Sequence, residues 1–272
     1  MTELLAASDD TPPLTALDDG SGPSLLVVHP GGGDATAWDG VIRHLTDDFR
    51  VVRINRRIYT PDAEIALPHS MAVEAADILR VARLLDPPVL LVGHSSGAVA
   101  ALEAALLDPS AFAGLFLYEP PMPTRELIAG EAAARARAAL LGGDRVEALR
   151  IHLRDIVRMP VGTVDALLAD QSLRTALVAH ATAQIADDEA IDLLGTGIDR
   201  FADLAVPTTL VEGELSPAHL RERLHDLAET LPDARTVTFA GQGHVAHLAA
   251  PVMLADAIRE AAEHVLGDHG PK

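Results

Sequence analysis

The sequence predicts an α/β fold: one mostly parallel sheet, covered by helices on both faces, with a helical segment inserted into it. Three observations lead there. Apolar runs of strand length alternate with stretches of helix length along residues 25–119 and again along 207–265, the pattern of successive βα units. Between them, from about residue 120 to 201, the pattern turns almost wholly helical. Finally, the apolar run from Val89 passes through Gly93-His94-Ser95-Ser96-Gly97 into a helix-forming stretch from Ala98 to Leu102, which reads as a buried strand turning sharply into a helix with Ser95 at the turn.

Gly93 and Gly97 suit such a turn, because a side chain held at strained backbone angles needs neighbours without a bulky Cβ. The pentapeptide alone is common; the strand before it and the helix after it give it meaning. In an ordinary doubly wound protein the same serine would merely cap its helix.

Composition bounds the alternatives. A chain of 272 residues, 49% apolar, can bury one large sheet core and still carry an insertion. Its alanine-rich runs are interrupted by Glu, Asp and Arg, so none reads as a bilayer span. The first residues, Met-Thr-Glu with Asp9, Asp10, Asp18 and Asp19 following, lack the basic and apolar regions of a secretory leader, so cytoplasmic residence is the expectation. The absence of cysteine excludes disulfides, thiolate catalysis and cysteine metal sites. With 40 acidic against 21 basic residues the net charge is -19, which disfavours nucleic acid and anionic membrane as partners.

Taken in order, residues 1–24 contain Pro12, Pro13, Gly20, Gly22 and Pro23 and leave room for one or two edge strands. Leu25 to His29 is a strand, closed by Pro30-Gly31-Gly32-Gly33, and Trp38 to Leu45 reads as a helix against the sheet. Val51 to Ile54 is the next strand, with Asn55-Arg56-Arg57 at its end and a loop over 58–68 before a helix from Ser70 to Leu85. Pro87-Pro88 ends that helix and launches the strand into Ser95; the helix beyond runs to Leu107, where Asp108-Pro109 stops it. Ala113 to Tyr118 is a strand that ends at Glu119-Pro120-Pro121.

The helical stretches 126–141, 144–157, 163–169 and 172–194 follow, separated at Gly142-Gly143 and Met159-Pro160. They divide the chain into a core, 1–119 with 202–272, and an inserted segment, 120–201, placed to roof the crevice at the carboxyl ends of the strands. The plainer alternative is that these helices complete the core. The sheet resumes at Pro207 to Glu212, followed by a helix from Ala218 to Leu231 and a strand from Arg235 to Phe239. Gly241-Gln242-Gly243-His244 opens onto a last helix, Ala250 to Val265, and 267–272 reads as a disordered polar tail.

A serine hydroxyl is a weak nucleophile unless a nearby base takes its proton and a third group orients that base. His244, in a glycine-framed loop directly after a strand, is the candidate base for Ser95.

A sheet, a nucleophile elbow at Gly93 to Gly97, a helical cap and a late histidine together resemble the α/β-hydrolase fold superfamily, over nearly the whole chain from Leu25 to Val265. The resemblance implies the order serine, acid, histidine, and no cofactor. It also implies an oxyanion hole: His29-Pro30-Gly31-Gly32-Gly33 looks like the family's first-loop element, so the donors would be the amides of Gly31 and Ser96, with Gly32 as the alternative to Gly31. Pro30 stands where relatives more often have glycine. The three glycines lack a following Gly-Lys-Ser/Thr and make no G-x-G-x-x-G, so a nucleotide site is not expected.

The acid is the departure. Many relatives carry it in a Gly-x-x-Asp pattern after the strand at 208–212, and here that stretch is Gly213-Glu214-Leu215-Ser216. Glu119 is the best substitute, since some members, including a branch of the haloalkane dehalogenases, draw their acid from the end of the strand after the nucleophile. Glu214, Glu212, or no carboxylate at all remain as alternatives. Dehalogenases and epoxide hydrolases of the superfamily use an aspartate where Ser95 stands, so their chemistry is not expected.

Other residues are less telling. Asn55-Arg56-Arg57 replaces the family's aspartate-arginine-glycine turn, and His94 is common before the nucleophile, where it shapes the elbow. His247 could pair with His244, but no third zinc ligand is evident and both H-E-x-x-H and H-x-x-E-H are absent. Met122, Met159, His152 and His180 are pocket liners or ordinary helix core. The expectation is therefore a serine acyl hydrolase, carboxylesterase-like, acting on a small-molecule carboxylic ester, thioester or lactone, with neither nucleic acid nor membrane as partner, as monomer or homodimer. A lyase or cyclase of secondary metabolism, or a catalytically silent binding protein, are the alternatives.

Overall fold

The computed structural model describes residues 2–8, 11–60 and 69–267. Eight strands form one sheet: β1 (Thr2–Ser8), β2 (Thr11–Gly20), β3 (Ser24–Val28), β4 (Arg50–Ile54), β5 (Val89–His94), β6 (Gly114–Tyr118), β7 (Thr208–Gly213) and β8 (Ala234–Phe239), in the order β1-β2-β4-β3-β5-β6-β7-β8. The pairs β1/β2 and β2/β4 are antiparallel and all others parallel. The sequence expectation of a mostly parallel sheet with up to two amino-terminal edge strands therefore holds.

Strand residues alternate between the two faces, as period-two geometry requires. Leu26, Val28, Leu115 and Leu117 enter one core with Met71, Ile78, Val99 and Leu102; Leu25, Val27, Phe116 and Tyr118 enter the other with Trp38, Val41, Leu254 and Ile258. Strands β3, β5, β6 and β7 are buried throughout, which is why β3, β5 and β6 read as largely apolar runs, while β7 also buries Thr208, Thr209 and Glu212.

The helices are α1 (Asp39–Ile42), α2 (Met71–Ala82), α3 (Ser96–Leu107), α4 (Glu131–Leu141), α5 (Arg145–Ile151), α6 (Val161–Ala169), α7 (Gln171–Ala179), α8 (Ala181–Asp192), α9 (Ala218–Thr230), α10 (Ala246–Ala249) and α11 (Pro251–Leu266). Three depart from expectation. The helix foreseen at 38–45 is a 3-10 turn, Ala35–Trp38, capped by Asp34 and followed by the single turn of α1. Residues 126–130 are not helical: Gly130 has φ +49, and Asp192 accepts the backbone N–H groups of Ile128 and Gly130, which starts α4 only at Glu131. The stretch 172–194 is two helices, α7 and α8, hinged at His180, whose ring lies 5.9 Å from that of Tyr59. No glycine or proline marks that hinge; it is set by tertiary contact. Helix α5 runs on into a π-helical turn, His152–Ile156. The loop expected over 58–68 begins with a 3-10 turn, Arg57–Tyr59, and its remainder from 61 to 68 lies outside the described residues, as do residues 268–272 of the expected tail. Among the described residues no helix is long and apolar enough to cross a membrane.

Topology fixes where a site can form. From β3 the chain passes to β4 on one side, then returns to β5 on the other, so β3 pairs with both. Connections leaving β3 and β5 therefore diverge, and the crevice at their carboxyl ends is where open α/β sheets bind ligands. His29 to Gly33 leaves β3 there, and Ser95 leaves β5.

Candidate active site

Ser95 occupies the turn between β5 and α3 with φ +53 and ψ −128, a conformation side chains rarely adopt. Its N–H is held by the Tyr118 carbonyl at 2.8 Å, and its own carbonyl accepts the N–H of Ala98 at 2.8 Å. The flanking glycines are required by contact. A Cβ on Gly93 would lie 2.6 Å from the Cα of Ala98, and one on Gly97 would lie 2.4 Å from the carbonyl oxygen of His29. Both substitutions would force helix and strand apart, leaving the serine out of place.

His244 follows β8, and its Nε2 lies 3.1 Å from Ser95 Oγ. On its other side Nδ1 donates to Glu119 Oε2 at 2.5 Å. Three sequence candidates thus form one hydrogen-bonded chain from Ser95 through His244 to Glu119. Glu119 is fully buried, has φ +44, and leaves β6 at the level where Ser95 leaves β5, since His94 and Tyr118 are register partners. Its second oxygen, Oε1, accepts the N–H of Gly213 at 2.7 Å, so both carboxylate oxygens are satisfied. The two other candidate acids are engaged elsewhere. Glu214 accepts the N–H of Gly241, and Glu212 binds Arg221 and Thr238. Ser216, where the family resemblance leads to an expected aspartate, is buried with its hydroxyl unpartnered.

Two residues hold the His244 loop from beneath. His94 Nε2 donates to the His244 carbonyl at 2.9 Å, and its ring stacks on Tyr118 with centroids 4.5 Å apart. Burial, reinforced by His247 and His244, pushes the His94 pKa well below its ordinary value, so it is a neutral, fixed donor. The Tyr118 hydroxyl donates to the Gly243 carbonyl and accepts the N–H of Ala246 at 3.2 Å. Sequence reading missed Tyr118 because a tyrosine at a strand end looks like core. His247 contributes a ring stacked on Trp38, and burial drives its pKa down to about 4. Among the described residues no three His, Asp or Glu side chains gather as a metal site.

The loop after β3 is held by its histidine. His29 Nδ1 donates to the Pro30 carbonyl at 2.8 Å and Nε2 accepts the Arg56 N–H at 3.3 Å. Burial, with the Arg56 charge adding to it, pushes the His29 pKa down to about 3. The loop's Gly31 lies beside Ser96: a Cβ built on it would stand 3.4 Å from Ser96 Oγ, so the two candidate oxyanion donors are neighbours. Of the remaining candidates, Met122 is fully buried, and His152 is buried with Nδ1 donating to Asp188 Oδ2 at 2.7 Å. Gln184 Nε2 lies 3.3 Å from the other ring nitrogen of His152.

Comparison with known proteins shows the family. A family model described as the alpha/beta hydrolase family matches residues 25–257, so the chain belongs to that family. It is 34% identical over 117 residues to a pimeloyl-[acyl-carrier protein] methyl ester esterase of Methylococcus capsulatus, a match covering 40% of this chain and 44% of the esterase, so less than half of that relative's length is spanned. It is 25% identical over 257 residues, 90% of each chain, to the 2-(acetamidomethylene)succinate hydrolase of Mesorhizobium japonicum. A solved alpha/beta hydrolase from Sphaerobacter thermophilus superposes with TM-score 0.82 at 26% identity, covering 94% of this chain and 99% of that one. These similarities support an enzyme of the hydrolase class.

Proposed function

We propose that the protein is a serine hydrolase of carboxylic esters, or of the closely related thioesters and lactones, working through an acyl-enzyme. The continuous hydrogen-bonded chain from Ser95 through His244 to Glu119 carries this reading. Relatives named as a methyl ester esterase and as a succinate-derivative hydrolase point the same way.

In this mechanism His244 Nε2 takes the Ser95 proton as Oγ attacks the acyl carbon, and Glu119 stabilises the imidazolium and holds its Nδ1–H. The carbonyl π bond opens onto oxygen, and that oxyanion is received by the N–H groups of Gly31 and Ser96, each such donor being worth about 3 to 4 kcal/mol of barrier. Collapse expels the alcohol, which takes the proton from His244. Water then attacks the acyl-enzyme, delivering its proton to His244, and the acid leaves as Ser95 regains it. Residues 120–201 serve in this reading as a cap over the crevice. No cofactor is needed.

The test is covalent labelling by a fluorophosphonate together with hydrolysis of short- and medium-chain aryl esters. Wild type should label and turn over, Ser95→Ala should do neither, and Glu119→Gln should do both far more slowly. A folded wild type that neither labels nor hydrolyses any ester would sink the proposal, and would move attention to lyase or binding roles of the same crevice.

A further inference from the structure

A second buried charge cluster lies beside the proposed oxyanion hole. Arg56, just past β4, is fully buried and divides its guanidinium among three partners. Nε donates to Glu74 Oε2 on α2 at 2.9 Å, Nη1 to Ser96 Oγ at the start of α3 at 2.8 Å, and Nη2 to Asp187 Oδ1 on α8 at 2.6 Å. Tyr59 Oη donates to Asp187 Oδ2 at 2.9 Å, and His69 Nε2 stands 3.3 Å from Glu74 and 3.8 Å from Asp187. Three of these elements belong to the sheet core and its covering helices. Asp187 belongs to the segment between β6 and β7.

Buried ion clusters of this kind add little stability, because desolvation offsets the attraction; what they supply is a fixed geometry. The planar fork of arginine suits the task, since each donor has its own direction. Burial alone would lower the Arg56 pKa, but the Asp187 and Glu74 carboxylates outweigh it, so the cation persists. For Asp187, burial would favour the neutral acid, and Arg56, assisted by His69 and the Ser96 hydroxyl, holds it ionised instead.

The constraint points at the two candidate oxyanion donors. A Cβ on Gly31 would come within 2.9 Å of Tyr59 Oη and 3.8 Å of Asp187 Oδ2, and one on Gly32 within 2.6 Å of Gln184 Nε2. Gln184 and Asp187 are three apart on one face of α8, so this helix backs two successive residues of the loop while Arg56 ties it to Ser96. We infer that Arg56 and Asp187 are positioning residues that hold the amides of Gly31 and Ser96 in register, and that seating of α8 thereby assembles the oxyanion hole. When α8 lifts, Asp187 leaves Arg56 with Glu74 and Ser96 alone, and the hole loosens. This rests on the hydrolase reading for what the amides do; the coupling of α8 to the 29–33 loop stands separately.

The experiment compares Asp187→Asn, which keeps the shape and removes the charge, Ser96→Ala, which removes the hydroxyl that accepts from Arg56 and supports Asp187, and Arg56→Lys. Aryl-ester kinetics and hydrogen exchange of the 29–33 and 96–99 amides are measured well below each variant's melting temperature. Expected is a drop in kcat of about 10- to 100-fold with KM within about threefold, the cost of sub-ångström misplacement of a catalytic group, and exchange of residues 29–33 accelerated at least about tenfold with α11 unchanged. A purely structural role predicts a lower melting temperature with kcat and loop exchange at wild-type values, and that result overturns the inference. Should the wild type hydrolyse no ester, the hydrolase proposal falls and loop exchange in Asp187→Asn alone decides the coupling. Should Arg56→Lys fail to fold, the other two variants decide it.

Discussion

The backbone N–H of Gly213 donates to Glu119 Oε1 at 2.7 Å, joining the end of β7 to the end of β6. The carboxylate is thereby spanned: one oxygen is fixed to β7 and the other receives the His244 Nδ1–H. This bond compensates for placing a buried charge at a residue with φ +44, since both oxygens are satisfied without water. A shorter acid cannot reach both partners. Glu119→Asp is expected to retain the charge but lose one bond, giving a kcat about 10- to 100-fold below wild type, whereas Glu119→Gln should fall by about 10³- to 10⁴-fold. Steady-state kinetics of the two variants check the order; equal losses would mean that reach is irrelevant.

Ser216 supplies a second test of where the acid can stand. Its Oγ and the Cα of Gly243 both lie 2.8 Å from the place a Cβ on Gly213 would take, so the 213–216 turn packs against the residue preceding His244. A carboxylate at 216 would enter a buried spot that now holds an unpartnered hydroxyl. In a Glu119→Gln background, Ser216→Asp is expected to raise kcat at least about tenfold, because His244 regains a negative partner to stabilise its charged form. Kinetics of the double variant against Glu119→Gln decide this, and no recovery would mean that the turn holds the new carboxylate away from His244.

Tyr118→Phe tests the support beneath His244. It removes the hydroxyl that serves both the Gly243 carbonyl and the Ala246 N–H, leaving polar backbone groups without their partner. The expected cost is about 1 to 3 kcal/mol of stability, read by urea denaturation. Turnover should fall about tenfold with little change in KM, since the base is less well held while the substrate crevice is untouched. Unchanged kcat would assign Tyr118 to packing alone.

Much of this was legible in the chain. The central strands β3, β5 and β6 read correctly because parallel strands buried on both faces are largely apolar, and Ser95 stood out because only a strand before it and a helix after it make the glycines necessary. Glu119 was legible by its oddity, a charge between Tyr118 and Pro120 at a strand end. Asp187 was not, because in an alanine-rich helix an acidic residue ordinarily faces solvent, and its partner Arg56 is 131 positions away in sequence. The hinge at His180 was equally hidden, since a contact with Tyr59 sets it rather than any local breaker. Tertiary partners between distant segments leave no periodic trace.

Stability should decline as pH falls from 6.5 to 5. Four histidines are held neutral: His29 by burial and Arg56 with its pKa near 3, His247 by burial and His244 with its pKa at about 4, His219 by burial with Arg158 and Arg223, also at about 4, and His94 by burial with His247 and His244, well below normal. Each folded-state pKa lies below the unfolded value of about 6.5, so the unfolded chain binds more protons throughout this window. Their contribution is therefore complete above pH 6.5 and is lost as pH falls toward the folded values, each fully titrating histidine adding about 1.4 kcal/mol per pH unit to the slope. His152 acts in the opposite sense. Burial lowers its pKa but the Asp188 carboxylate raises it more, so its contribution is present below 6.5 and is lost only as pH rises above that value. It leaves the window between 6.5 and 5 to the other four. Urea denaturation at pH 7.5, 6.5, 5.8 and 5.0 should give a midpoint that falls progressively over the last three points; a flat midpoint would mean that these rings protonate in the folded protein without penalty.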